Sequence, residues 1–238
     1  MNSLQGWINL YKPKNITSFQ AVNKIKKKLK IEKIGHAGTL DPQAMGILPI
    51  GIGKATKLIQ FITNKNKKYK FTICWGKQTT TDDADGQTII ESNIIPKLKD
   101  IEIKSQEFIG LITQTPPKVS AVRINGKRAY KLFSQNNDFE IKERQVFVKD
   151  LKIIKNFSNF TIFEIECGKG FYVRSFARDI ALKMGTYGHI SHLERTRVGK
   201  FTTNTSILLD DLLKIGNRQL EINYLKPSIS MLDDILAY

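Results

Sequence analysis

The residue best placed to do chemistry in this sequence is Asp41, the one acid of the segment Gly35–Gly46. This segment holds three glycines, a histidine and a proline besides that acid. Glycine adopts backbone conformations closed to other residues and lets another chain approach closely, while Pro42 pushes Asp41 toward an extended conformation. The pattern predicts a stiff loop that presents one carboxylate. An ordinary connecting turn remains the alternative, because Gly and Asp are common turn residues.

Elements on both sides must position this loop. Before it, Trp7–Leu10 is typical of a strand, and Thr17 with Gln20 forms a capping box that starts a helix. After it, residues 47–52 are apolar and strand-like, and a helix follows from Gly53 to Phe61. Helical spacing predicts that the first helix buries one apolar face, formed by Phe19, Val22, Ile25 and Leu29.

The charge balance points to a polyanionic partner. Lys and Arg number 38 against 22 Asp and Glu, a net charge of +16, which favours nucleic acid as the ligand. A general bias toward lysine and an ordinary solvated surface are the alternatives. Two clusters stand out, one on the outer face of the first helix and one just before residue 71: Lys24, Lys26, Lys27, Lys28 and Lys30, then Lys65, Lys67, Lys68 and Lys70.

Further along, Tyr69, Phe71, Ile73 and Trp75 alternate with other residues and predict a strand with one aromatic and apolar face. Tyr69, flanked by lysines, could stack on a base. The loop Thr79–Gly86 lacks the spacing of a calcium-binding EF-hand. Its three acids are therefore expected to cap a helix or pair with lysines: Asp82, Asp83 and Asp85.

The rest of the chain mixes helices and strands. Residues 98–112 predict a helix, residues 114–123 an extended arm, and Glu143–Lys155 and Phe160–Cys167 two paired strands. A helix follows Gly168–Arg174, and its start could bind an anion, although spacing alone favours a structural role for Arg174. Residues 194–201 predict a basic turn into a strand, and Leu208–Leu213 a short helix.

Several classes of site are disfavoured. Cys74 and Cys167 match neither a zinc site nor a disulfide framework, so a reduced, cytoplasmic setting is expected. His189 and His192 lack the carboxylate companions of a metal site. The glycines near residue 53 fit no nucleotide-binding fingerprint. The sequence shows no secretory signal and no apolar run long enough to span a membrane.

The segment from Gly35 through Pro49 resembles the signature of the TruB family of tRNA pseudouridine synthases, which act on uridine-55 of the T-loop. Further pieces match in the family's order, and together they cover about Gly6 to Phe201, a far more specific signal than one motif. They are Lys12-Pro13, Thr17-Ser18, Lys68-Tyr69-Lys70, Gln114, Pro116-Pro117, Ser120-Ala121, Gly126-Lys127, Tyr130, Lys169-Gly170, Tyr172-Val173-Arg174 and His192-Leu193 with Arg195 to Gly199.

The resemblance implies a role for six residues. Asp41 corresponds to the catalytic aspartate, Tyr69 to the tyrosine that stacks on the flipped base, and Arg174 to the arginine that pairs with the catalytic acid. The residues that correspond to the lining of the substrate pocket are His36, Tyr172 and Leu193. The reaction breaks the N1–C1′ bond of uridine and joins C5 to C1′, so neither a cofactor nor a metal is expected.

The implied fold is α/β (α+β), with a bent, mixed, mostly antiparallel central sheet flanked by helices. We expect a single catalytic domain over residues 1–238 with an RNA-gripping insertion at about 115–145. We expect no separate C-terminal RNA-binding domain, and therefore weaker RNA affinity with catalysis retained. Three positions depart from the family pattern and concern loop packing and one phosphate contact: Ala37 and Met45, where threonine is frequent, and Glu194, where arginine is frequent.

The expected partner is the T-arm stem-loop of tRNA, bound by a monomer without a protein partner or a membrane. Two other functions stay open, a non-catalytic RNA-binding or RNA-folding protein and a guide-RNA-dependent synthase. The matches at Asp41, Tyr69 and Arg174 argue against the first, and the bacterial-type arm and short chain argue against the second. Glycoside hydrolysis is disfavoured because it usually needs two carboxylates.

Overall fold

A computed structural model of the chain describes residues 4–135 and 137–231. Over these residues the helices are α1 Ser18–Leu29, α2 Ile59–Asn64, α3 Leu98–Gln106, α4 Ala129–Ser134, α5 Val173–Lys183, α6 Leu209–Lys214 and α7 Asn217–Asn223. The strands are β1 Gly6–Lys12, β2 Ile34–His36, β3 Met45–Ile52, β4 Lys67–Trp75, β5 Lys77–Thr79, β6 Thr88–Glu91, β7 Gly110–Gln114, β8 Arg123–Ile124, β9 Lys127–Arg128, β10 Arg144–Asn156, β11 Phe160–Cys167, β12 Gly188–Val198, β13 Phe201–Thr202, β14 Ile207–Leu208 and β15 Leu225–Lys226.

The chain divides into two compact units. Of the described residues, the first unit combines those up to Tyr69 with those from Leu193 to Met231, and the second takes those from Lys70 to His192. The division falls inside β4 and β12. The first unit is therefore built from two segments that lie far apart in the sequence.

Among the strands of the first unit, β3 lies between β1 and β12. β3 pairs antiparallel with β1, from Gly6 opposite Ile52 to Lys12 opposite Gly46. On its other side it pairs in parallel with β12, where Met45 lies opposite Glu194. Seven of the eight residues of β3 are buried, which explains the continuous apolar run, since a central strand is covered on both faces.

Helix α1 packs on this sheet through the face predicted from its spacing, with one exception. Thr17 and Gln20 form the predicted capping box. Phe19 was expected in the core, and that expectation is wrong, because its side chain is 68% exposed. Phe19 lies one residue away from the stripe of buried positions, which recur about once per helical turn. They are Ser18, Ala21, Val22, Ile25 and Leu29.

Among the strands of the second unit, β10 pairs antiparallel with both β11 and β7. The predicted pairing of the two strands after residue 143 is therefore confirmed. Its core is aromatic: Phe71 stacks on Phe163 with ring centroids 5.5 Å apart. Phe176 of α5 meets Phe71 edge-on at 5.7 Å and Phe108 at 5.1 Å. These contacts fix the start of α5 against the sheet.

Two predicted elements differ in the structure. The helix expected over residues 98–112 ends at Gln106, and Gly110, with φ +94°, opens strand β7 instead. A positive φ is incompatible with a right-handed helix and readily adopted by glycine. The basic turn expected from residue 194 is also wrong, because β12 runs through Val198 before a turn leads into β13.

Helices surround a sheet that mixes parallel and mostly antiparallel pairs, so the predicted α/β (α+β) class is confirmed. The insertion at about 115–145 holds the short hairpin β8–β9 and helix α4. Its role in gripping RNA stays a prediction, as does the single-domain assignment. No helix among residues 4–135 and 137–231 is long and apolar enough to cross a bilayer.

Candidate active site

Arg195 holds the loop that carries Asp41 from one side. The Arg195 side chain is 2% exposed. Its Nε donates to the Ile47 carbonyl at 2.8 Å, and its terminal nitrogens donate to the carbonyls of Gly38 at 2.9 Å and Thr39 at 3.4 Å. One buried guanidinium thus satisfies three carbonyls on both sides of Asp41, which fixes the path of the loop.

The start of α1 holds the same loop from another side. The Ser18 hydroxyl donates to the Leu40 carbonyl at 3.0 Å and accepts from the Leu40 amide at 2.9 Å. The Asn15 amide donates to the Pro42 carbonyl at 2.9 Å. The residues on either side of Asp41 are therefore both hydrogen-bonded, so the predicted stiff turn is confirmed.

Lys12 completes this anchorage and adds a charge. It is fully buried, and its Nζ donates to the carbonyls of Pro13 at 2.7 Å, Ile16 at 2.8 Å and Pro42 at 3.3 Å. Burial lowers the pKa of Lys12 to about 8, the Asp41 carboxylate opposes that change, and the Arg195 cation adds to it. The Asp41 carboxylate is therefore close enough to the buried Lys12 to interact with its charge.

Gly46 shows why glycine is needed where the loop rejoins the sheet. Its φ is +107°, and a Cβ at this position would lie 2.3 Å from the Arg195 carbonyl oxygen. No side chain fits at that distance, so β3 and β12 can pair here only through glycine. The expectation that the loop glycines let a neighbouring strand approach is met at Gly46.

His36 ends β2, opposite Ile50 of β3. Its Nδ1 is buried and has no hydrogen-bond partner within the described part of the chain. Burial, and secondly the Arg195 cation, lower the pKa of His36 below its usual value of 6.5. The imidazole is therefore neutral at neutral pH, which suits a contact with an uncharged base better than with a phosphate.

The other two predicted residues of the first unit lie on the strands that the unit boundary divides. Tyr69 is half-buried in β4, and Leu193 of β12 packs against the core cluster that includes Leu48 and Ile50. Lys67, a member of the basic cluster predicted before residue 71, is 6% exposed and donates to the Thr63 carbonyl.

In the second unit, Tyr172 is the N-cap of α5 and is held by Gln114. The Tyr172 amide donates to the Gln114 side-chain oxygen at 3.1 Å, and the Gln114 side-chain nitrogen donates to the Tyr172 carbonyl at 3.2 Å. The Arg144 guanidinium lies over the Tyr172 ring, 5.8 Å from its centroid. Backbone and ring are thus both fixed by buried or charged neighbours.

Arg174 lies two residues later and is 4% exposed. Its terminal nitrogens donate to the carbonyls of Thr81 and Val119, each at 2.9 Å, and one of them lies 3.5 Å from the Asp83 carboxylate. Arg174 therefore joins two segments of the second unit, the acidic loop around residue 82 and the first residues of the arm.

Arg178, one helical turn further along α5, bridges the same two segments. It donates to the Asp82 carboxylate at 3.1 Å, to the Thr115 carbonyl at 2.8 Å and to the Asp179 carboxylate at 2.9 Å. The prediction that the loop acids cap a helix or pair with lysines is wrong for Asp82 and Asp83, which pair with arginines. Burial raises the pKa of Asp82, opposed chiefly by Arg178.

Sequence reasoning assigned no role to Lys12 and Arg195 in the first unit or to Arg178 in the second, and it missed the pairing of Asp82 and Asp83 with arginines. Lys12 and Arg195 do lie in the motifs that carry the family resemblance, so the signal was present. Their burial and their partners were not readable from one sequence, because a Lys or Arg is usually solvated. Within the described ranges, no three His, Cys, Asp or Glu side chains cluster closely enough to hold a metal.

Comparison with known proteins identifies the family. Residues 26–173 match the sequence model of the TruB family pseudouridylate synthase N-terminal domain, and residues 174–237 match that of the tRNA pseudouridylate synthase B C-terminal domain. The chain belongs to the TruB family. The junction of the two matches at residue 173 lies inside the second structural unit, so the TruB sequence domains and the compact units divide the chain differently.

Curated TruB relatives cover nearly the whole chain. The tRNA pseudouridine synthase B of Ehrlichia ruminantium is 45% identical over 98% of this chain and 79% of its own length. That of Caulobacter strain K31 is 42% identical over 99% of the chain and 76% of its own length. That of Wolbachia pipientis is 48% identical over 89% of the chain, but the match spans 60% of the relative's length.

Solved structures agree on the fold. A crystal structure of a Cbf5–Nop10–Gar1 complex matches with a TM-score of 0.68 and 32% identity, over 87% of this chain and 53% of the matched chain. The structure of an H/ACA RNP bound to a substrate RNA containing 2′-deoxyuridine matches with a TM-score of 0.71 and 26% identity, over 96% and 61%. The sequence models and relatives thus confirm the predicted family and the prediction that the chain is a pseudouridine-forming enzyme. The solved structures confirm the predicted fold.

Proposed function

We propose that this TruB family enzyme isomerises uridine-55 in the T-loop of tRNA to pseudouridine. The observation that carries the proposal is the Asp41 loop, in which the family signature coincides with a clamp by Lys12, Ser18 and Arg195. Relatives named tRNA pseudouridine synthase B support tRNA as the substrate. The signature carried by Gly35–Pro49 supports the position within it.

The chemistry needs a carboxylate held at a fixed point. The N1–C1′ bond breaks, the detached uracil turns, and C5 bonds to C1′; the C5 proton is lost and N1 takes up a proton, so the product is an isomer of the substrate and no redox step occurs. Asp41 acts at the sugar, either by attack at C1′ or by removal of a sugar proton. Both routes depend on orientation, which a clamped loop supplies before the substrate arrives.

The remaining five residues are proposed to bind and hold the flipped nucleotide. Tyr69 stacks on the uracil, a contact that contributes about 1–3 kcal/mol against the cost of unstacking. Neutral His36 helps to displace the base from its loop. Tyr172 and Leu193 line the pocket, and Arg174 pairs with Asp41 to keep its carboxylate ionised and aimed.

The enzyme is proposed to work in the cytoplasm as a monomer, on the T-arm stem-loop alone, without a cofactor, metal or protein partner. This distinguishes it from the solved relatives in multi-protein or RNA–protein assemblies.

The deciding experiment is tritium release from RNA labelled at C5 of uridine, with purified protein and a bare T-arm stem-loop. We expect release by the unmodified chain and loss of at least about 10³-fold in Asp41→Asn. No release by the unmodified chain would eliminate a stand-alone synthase in favour of a guide-dependent or RNA-folding protein. Release that persists in Asp41→Asn would eliminate the proposed role of Asp41.

Tyr69→Phe serves as the matched variant, because it keeps the aromatic ring and removes the hydroxyl. A rate close to that of the unmodified chain fits a stacking role. A severe loss would assign work to the hydroxyl instead.

A further inference from the structure

The outer face of α1 has a composition that neither packing nor helix stability explains. It carries exposed lysines on a helix of 12 residues, together with Phe19, which is 68% exposed. Lysines three or four residues apart repel each other and weaken a helix by about 0.2–0.5 kcal/mol per pair. Lys26, Lys27 and Lys28 lie in the last turn, where the helix dipole compensates, but Lys24 does not.

Among the described residues, these lysines are not neutralised by neighbouring acids. Within residues 4–135 and 137–231, no carboxylate forms an ion pair with a lysine of α1 or with Lys30 that follows it. Lysines that do pair with an acid are Lys77, Lys104, Lys149, Lys152, Lys183 and Lys214.

Two grooves run along this face. One, of about 350 Å³, is lined by Asn15, Ile16, Gln20, Asn23, Lys24 and Lys27. The other, of about 630 Å³, is lined by Asn23, Lys26, Lys27, Lys30, Ile31 and Glu32. Gln20, Lys24 and Lys27 follow each other at helical spacing, so the first groove presents an amide and then one ammonium per turn.

The helix is fixed to the candidate catalytic loop at one end. Ser18, its first residue, forms both hydrogen bonds to Leu40, and Asn15, which lines the first groove, binds the Pro42 carbonyl. The first groove therefore reaches Asn15, whose amide binds the Pro42 carbonyl next to Asp41, and both grooves follow a helix about 18 Å long. RNA attached to the target nucleotide is the polyanion that lies within this distance.

We propose that the outer face of α1 binds the sugar–phosphate backbone of the substrate tRNA next to the target uridine. Lys24 and Lys27 contact phosphates, the amides of Gln20 and Asn23 contact sugar or phosphate oxygens, and Phe19 offers a ring on which a neighbouring base stacks. This rests on the proposed function for the identity of the RNA, and it adds a binding surface outside the flipped nucleotide.

The test is equilibrium binding of an unmodified tRNA transcript over a range of salt concentrations, in an Asp41→Asn background that prevents turnover. Lys24→Gln and Lys27→Gln are each expected to weaken binding by about threefold or more and to reduce the slope of log affinity against log salt by about one. Lys28→Gln removes the same charge from the same helix, but Lys28 lines neither groove. It should change binding less than twofold.

Equal effects of the three lysine substitutions would overturn the proposal, because they would show a diffuse electrostatic field. No effect of any of them would overturn it as well. Phe19→Ala should weaken binding at high salt without changing the slope, with Ile222→Ala, at a residue 72% exposed, as the control. Because binding is measured without turnover, failure of the isomerase assay would reject the proposed function and leave this result interpretable.

Discussion

Arg174 and Arg178 bridge the same two segments of the second unit, one helical turn apart on α5. Arg174 binds the carbonyls of Thr81 and Val119, and Arg178 binds the Asp82 carboxylate and the Thr115 carbonyl. The second arginine thereby fixes the backbone that holds the first. Its effect on the reaction is expected to pass through Arg174, which makes Arg178 a positioning residue.

This relation can be tested with a double-mutant cycle in single-turnover kinetics. Arg178→Ala should slow the reaction by about 10- to 100-fold, because a small displacement of a positioned group is costly. Arg174→Ala together with Arg178→Ala should be about as slow as Arg174→Ala alone, since the second change acts through a side chain already removed.

Lys183→Gln, at the exposed end of the same helix, is the matched control and should react at the normal rate. Rate losses that multiply in the double variant would contradict the positioning role and assign Arg178 an independent one.

His36 gives a pH dependence of known sign. Its pKa in the folded protein lies below 6.5, the usual value that the unfolded chain has. At a pH between the folded-state pKa and 6.5, the unfolded chain therefore binds more protons than the folded one. The free energy of unfolding should therefore rise with pH in this window. The contribution of His36 to it should be lost as the pH falls below 6.5. His36→Asn should flatten this dependence.

Urea denaturation at about pH 5, 6 and 7 measures the difference. The other two histidines are common to both proteins, so their contributions cancel in the comparison. Parallel curves for the two proteins would contradict the buried, neutral state of His36.

At the scale of elements, the pairing of β3 with β12 depends on Gly46. A Cβ there would lie 2.3 Å from the Arg195 carbonyl oxygen, so Gly46→Ala must separate the strands or move Arg195. We expect a loss of about 3 kcal/mol or more in the free energy of unfolding and loss of catalysis, because Arg195 also clamps the Asp41 loop.

Gly185→Ala is the control that distinguishes the effect of a steric clash from the effect of backbone strain at a positive φ. Gly185 also has a positive φ, +70°, but an added Cβ would meet nothing within 4 Å. The free energy of unfolding of Gly185→Ala should therefore fall by only about 1–2 kcal/mol. Thermal or urea denaturation of both variants checks the difference, and equal losses would show that backbone strain alone matters.

Local patterns predicted most elements well where one signal dominated. The capping box at Thr17 and the alternation from Phe71 to Trp75 are purely local, and both are found in the structure. The prediction of a helix over residues 98–112 was wrong because the apolar spacing continues past Gly110. The positive φ of Gly110 cannot be inferred from the spacing of apolar residues. The prediction for Phe19 failed because its three-residue step to Val22 is also a helical spacing, whereas the buried stripe passes through the neighbouring Ser18.

At the scale of the whole molecule, the site residues with recognisable chemistry could be named from motifs, but the residues that hold them could not. Arg195 donates to Gly38 across 157 residues of sequence, and Arg174 to Thr81 across 93. Such pairs form only when distant segments pack together. A single sequence contains no periodicity that relates them, whereas it does contain the glycine and proline pattern around Asp41.

The two-segment construction of the first unit sets the order in which the enzyme can become active during its synthesis. The hydrogen-bond partner of the Ile47 carbonyl, Arg195, is synthesised 148 residues later. At roughly 5–20 residues per second this interval lasts on the order of ten seconds. Throughout that time the nascent chain carries Asp41 and the contacts from Lys12 and Ser18 but lacks those from Arg195, so the complete clamp forms only after translation has passed β12.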